Sequence, residues 1–110
     1  MSDIQLVPPS NTDAEVSVIG SILIDNSLID SVSEILTRED FYSTANQNIF
    51  GAIVDVYNNG SAVDLVILKN ELSRLSILEK SGGVIYLMNI VDAVPITVNV
   101  VYYAEIIKEK

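Results

Sequence analysis

Cysteine and histidine are both absent from the 110 residues. Without cysteine there is no disulfide staple and no thiolate metal site. Without histidine the commonest acid/base group and metal ligand is missing. Cations are scarce as well, 6 Lys and Arg against 15 Asp and Glu, for a formal charge of −9. That balance repels phosphate backbones and points away from autonomous nucleic-acid binding, towards basic or mixed protein partners. No apolar run is long enough to span a membrane, and the N-terminus lacks a basic, then greasy, signal-like order. Gly82-Gly83 stands in neither GxxxxGK[ST] nor GxGxxG, so it is not a phosphate loop. Ser and Thr remain as candidate nucleophiles, with nothing placed to activate them. Carboxylate pairs such as Glu39/Asp40 read as solvated or capping groups. The Tyr102-Tyr103 pair has no basic strip around it to hold a nucleic-acid backbone. No catalytic, cofactor-binding or metal-binding residue is assigned.

What the chain does have is apolar residues, 49% of the total, enough for one domain around a single core. Ala45 to Asn58 is the widest apolar helix: Ala45, Ile49, Phe50, Ala52, Ile53, Val56 and Tyr57 share one arc, and Gln47, Asn48, Gly51, Asp55 and Asn58 the other. Thr44 is a fair N-cap, Asn58-Asn59-Gly60 is a stop, and Gly60 is expected at the left-handed position beyond the helix. This helix is the expected hub. The rings of Phe41 and Tyr42 are expected to pack under the turn that enters it.

Around the hub the chain divides at Pro, Gly and capping residues. Residues 1–9 read as a loose arm ending at Pro8-Pro9. Val16, Ile19, Gly20 and Leu23 then mark a first helix, and Gly20 within that stripe suggests that another helix comes close. Asp25-Asn26-Ser27 ends it and caps a second, with Leu28, Val32, Ile35 and Leu36 inward. A fourth helix follows Asp64 with Leu65, Leu68, Leu72 and Leu75. A fifth opens at Ser81-Gly82-Gly83 with Val84, Leu87, Met88 and Val91, and Pro95 stops it.

The residues from Val98 to Lys110 form the last element. Val94 to Tyr103 is rich in β-branched and aromatic residues, but a lone strand would have no partner, so a helix is expected. It has two apolar sides. Val100, Tyr103, Ala104 and Ile107 make one stripe, while Tyr102 and Ile106 make a second. Either all belong to one broad core face, or the second patch is an interface to which Tyr102, Ile106, Val98 and Lys110 contribute. Glu109-Lys110 closes without a C-cap, as though something longer continued. Bottom-up, this is an all-α interaction module, a compact bundle of about six helices over residues 10–110.

Ordered landmarks carry a resemblance. Pro8-Pro9, Ala14-Glu15 and Ile19-Gly20-Ser21-Ile22-Leu23 come first, followed by Asp40-Phe41-Tyr42 and Ile49-Phe50. Then come Gly60 with Val63-Asp64-Leu65-Val66, Gly82-Gly83 with Tyr86-Leu87, and Val94-Pro95 with Asn99-Val100 and Tyr103-Ala104. Together they resemble the N-terminal domain of the bacterial replicative DNA helicase, the DnaB family, over nearly the whole chain. The resemblance implies a non-catalytic collar domain whose last helix is the first arm of a helical hairpin cut short here. It implies pairing of subunits, a trimer of dimers in a hexamer, docking of the helicase-binding domain of primase, and contact with a helicase loader. It further implies a cytoplasmic or nucleoid setting, and ATP and Mg only in a separate motor domain. Two positions depart from the family pattern: Asn46 stands in a slot usually held by His, and Ile67 in one often held by Thr. The rival readings are the helicase-binding domain of primase itself and a stand-alone helical adaptor.

Overall fold

Short helices are marginal alone in water, so each apolar stripe in this chain needs a neighbour to cover it. The computed structural model describes residues 11–94 and 99–109, and these contain α1 (Asn11–Ile24), α2 (Ile29–Ser33), α3 (Thr44–Asn58), α4 (Leu65–Arg74), α5 (Gly83–Asp92) and α6 (Val100–Lys108). Single 3-10 turns lie at Asn26–Leu28, Arg38–Asp40 and Glu79–Ser81, and no strand occurs among the described residues. The all-α class is as expected. The arm at 1–9 lies outside the described residues, as do Pro95, Val98 and Lys110.

The expected hub shares its role. Helix α3 packs on α1, α4 and the turns at Arg38–Asp40 and Glu79–Ser81. Helix α1 touches α3, α5 and α6, and buries Ala14, Val18, Ile19, Ile22 and Leu23. It is greasy around more of its circumference, so it takes neighbours on more sides. Each fully buried Ile, Leu or Phe contributes roughly 1.5–3 kcal/mol by leaving water.

Gly20 does mark a close approach. A Cβ there would overlap Val94 Cγ2 and lie 2.8 Å from the backbone oxygen of Ile90. The C-terminal end of α5 therefore rests almost directly on the backbone of α1.

Helix α3 departs from expectation at both its entry and its polar arc. Ser43, not Thr44, is the N-cap: its backbone is extended and its Oγ accepts from the Asn46 N–H at 3.2 Å, while Thr44 is already helical. Gly51, expected on the open arc, is buried. Arg38 lies across it, with Nη1 2.9 Å from where a Cβ would stand and Nη2 donating to Asn48 Oδ1 at 3.1 Å. Of the two rings before α3, Phe41 packs inside against Phe50, with centroids 4.8 Å apart, whereas Tyr42 points outward.

The far end of α3 closes as expected. Gly60 N–H donates to Tyr57 O and Ser61 N–H to Val56 O, the two reverse bonds of a Schellman motif, with Gly60 at φ +92°. Nothing lies within 4 Å of a Cβ at Gly60, so a side chain there meets backbone strain and no clash. Gly60→Val is accordingly expected to lose about 1 kcal/mol or more in urea unfolding, because a β-branched residue resists the left-handed region. A variant as stable as the parent would show that this turn is not a constraint.

Asp25 caps the turn after α1 through the Ser27 N–H, and Asp64 caps α4 through the Ile67 N–H at 2.8 Å. That second bond supplies a partner for the Ile67 amide without a side-chain hydroxyl at 67. Asn26 ties the two regions together: its amide donates to Ile22 O and Val63 O and accepts from the Val63 N–H at 2.7 Å.

Helix α5 is rotated from its expected setting. Gly83, Leu87 and Ile90 face the core, with Tyr86 and Val91 at its edge, while Val84 and Met88 face outward. Seven of its ten residues are large and apolar, so sequence period alone does not choose which face turns in. Helix α6 starts at Val100 rather than Val98, because the Asn99 side chain accepts from the Tyr102 N–H and caps it.

Candidate interaction surface

A buried polar chain organises one side of the domain. Glu15, only 1% exposed, comes from the start of α1 and reaches the entry of α3. Its Oε2 accepts from the Tyr42 N–H at 2.6 Å; its Oε1 accepts from Asn46 Nδ2 at 2.8 Å and more loosely from the Ser43 N–H at 3.4 Å. The carboxylate thus lies at the positive end of α3, where free N–H groups and the helix dipole favour an anion. The Tyr86 hydroxyl donates to Asn46 Oδ1 at 2.6 Å, which brings α5 into the chain. The Asn46 side chain thus links Glu15 to Tyr86, one donor and one acceptor used. Burial pushes the Tyr86 hydroxyl above its usual pKa, the Asn46 bond opposes that, and the nearby Glu15 charge adds to the rise.

This framework fixes the backbone from which Tyr42 projects, 83% exposed. Beside it, Asp40 closes a capping box with Thr37 and meets Lys108 of α6 at 3.3 Å. Burial raises the Asp40 pKa, but the Thr37 N–H and the Lys108 ammonium outweigh it, and the carboxyl sits below its ordinary 3.8. A depressed carboxylate stabilises the fold above its unfolded pKa and loses that contribution as pH falls through the folded one. The stability gap between the parent and Asp40→Asn is therefore expected to narrow between pH 6 and pH ~3. Urea midpoints at the two values measure it, and an unchanged gap would mean that the Asp40 charge is idle.

The two sides of α6 separate as follows. Val100, Ala104 and Ile107 are buried and Tyr103 is partly buried, which makes the first stripe a core face. Tyr102 is 53% exposed and stacks edge-on against Tyr103, with centroids 5.7 Å apart. Ile106 is only partly exposed and packs on the core, as the alternative of one broad core face has it for this residue. The exposed apolar surface of α6 is Tyr102 with Val101, a residue the sequence reading did not single out. Val98 and Lys110, expected to contribute to this surface, lie outside the described residues.

Comparison with known proteins fits this architecture. Residues 7–109 match the family model described as the DnaB-like helicase N terminal domain. The chain is 45% identical over 104 residues to the replicative DNA helicase DnaB of Geobacillus stearothermophilus, covering 94% of this chain and 23% of that protein. It is 39% identical, with the same coverage, to the replicative DNA helicase DnaC of Bacillus subtilis (strain 168). The chain thus spans about a quarter of the length of these curated relatives. The crystal structure of the N-terminal domain of DnaB helicase from Mycobacterium tuberculosis is similar with a TM-score of 0.86 at 40% identity, covering 94% of this chain and 75% of that one.

Proposed function

The chain belongs to the DnaB-like helicase N terminal domain family, and from that membership we propose that it is the non-catalytic collar domain of a replicative DNA helicase, a surface for subunit pairing and for primase. The observation that carries this reading is the agreement in fold over 94% of the chain with a solved helicase N-terminal domain. In the parent protein, ATP and Mg would be handled by a separate motor, and this domain would need neither. A charge of −9 supports the division of labour, since a collar of this sign leaves the DNA strand to other parts of the ring. The exposed Tyr102 and Val101 on α6 are the side chains we assign to pairing, with α6 as the first arm of a hairpin. One arm buries little area, so pairing of this chain by itself is expected to be weak, micromolar or looser.

Removing this domain from a full-length parent should abolish co-sedimentation with primase while motor-domain ATP hydrolysis persists. In the 110-residue chain, Tyr102→Asp should shift sedimentation towards monomer without changing the melting temperature. ATP hydrolysis by the chain itself, or micromolar single-stranded DNA binding at about 150 mM salt, would refute the collar reading.

A further inference from the structure

The rotation of α5 leaves a face that no other described residue covers. Val84, Ile85 and Met88 are 40%, 72% and 48% exposed. At i, i+1 and i+4 they share one flank of the helix over a single turn. Clustered apolar side chains on a strongly charged surface mark a contact site more often than scattered ones. The charges near this flank are mostly acidic. Asp92 closes the helix, Glu79 Oε1 lies 3.7 Å from where a Cβ at Gly83 would stand, and α5 itself holds no Lys or Arg. Lys80 is the nearby cation in sequence, set against these two acids.

We propose that the outer face of α5 is a docking site for an amphipathic helix of a partner protein, with an apolar stripe flanked by Lys or Arg. This deepens the docking role proposed above and rests on it. Charge chooses the occupant. A second copy would bring two bodies of −9 together with acids at both ends of the seam, whereas a basic helix gains at each of those acids. The apolar triad supplies what a helix stripe at i, i+3 or i+4, and i+7 lies upon. Met88, long and unbranched, adapts its shape to the entering side chain.

The test titrates the 110-residue chain with two synthetic peptides of about 18 residues, long enough to be helical when bound. Both carry the same leucine stripe; one is flanked by Lys and the other by Glu. The variant Ile85→Ser/Met88→Ser removes the apolar face, keeps every charge and, because both positions are exposed, leaves the melting temperature in place. The Lys peptide should move amide resonances between 83 and 92 and bind at least ~10-fold more weakly to the double variant. Equal binding to parent and variant would reduce the contact to charge attraction and overturn the site. So would equal binding of the Glu peptide, resonance shifts confined elsewhere, or a parent dimer that Ile85→Ser dissolves. In a full-length parent, a double variant that still co-sediments with primase overturns this site while leaving the docking role intact.

Discussion

Glu15→Leu is expected to lower stability by about 3 kcal/mol, a large share of the roughly 5–15 kcal/mol that holds a domain of this size. Leucine fills most of the space but accepts nothing. The Tyr42 and Ser43 N–H groups and the Asn46 amide then lose their shared acceptor. A buried donor left unpaired costs about 1–3 kcal/mol, and the two backbone groups are only part-buried, which keeps the sum near the lower end. Glu15→Gln retains one acceptor oxygen and should lose about half as much. Thermal melts should show roughly 12–24 °C between parent and Leu variant. If the Leu variant melts with the parent, the polar chain contributes nothing and the fold rests on its apolar contacts. Asn46→Leu breaks the same chain one link further on, and the two losses should not add, because the residues share a hydrogen bond.

Gly20→Ala sets two effects against each other. Alanine in a helix interior is favoured over glycine by about 1 kcal/mol. Against that, the new methyl would stand 2.8 Å from the Ile90 carbonyl oxygen, a backbone atom that yields only if α5 moves as a body. The overlap with Val94 Cγ2 is relieved more easily, by a side-chain shift. Overpacking of this kind costs typically 1–3 kcal/mol, so after the propensity gain a net loss of up to about 2 kcal/mol is expected, with a far larger one for Gly20→Leu. Urea unfolding measures it. A stabilised Gly20→Ala would mean that the α1–α5 contact is loose and propensity decides.

The fold class was legible because helical period, caps and stops agree along the chain: Asp25, Asp64 and Gly60 each do locally what their type and position suggest. The rotation of α5 was not legible, since Val84, Ile85, Leu87, Met88, Ile90 and Val91 ring the helix with apolar side chains and only its neighbours select a face. Nor was the burial of Gly51, which depends on an arginine thirteen positions away folding back across it. Of the two residues on the second apolar side of α6, Tyr102 lies open while Ile106 is drawn partly inward onto the core. The acceptor role of Glu15 left no local signal, as its partners are 27 to 31 residues distant. A lone acid at the start of a helix reads as a solvated end group. The helicase family was identifiable from landmark order, and its match removes the reading as a primase domain.

The Asn26 clasp carries a consequence for how the chain reaches this state. Its side chain bonds backbone groups 37 residues downstream, so it closes only after α2 and α3 have been brought into place. The ordering entropy of that long loop must be met before the bonds give anything back. Asn26→Ala is therefore expected to speed unfolding in stopped-flow urea jumps while leaving the folding rate nearly unchanged; an equal slowing of folding would place the clasp in the transition state. On that expectation Asn26 is a latch on lifetime, which sets how long the join between α1 and α4 stays shut rather than how fast it forms.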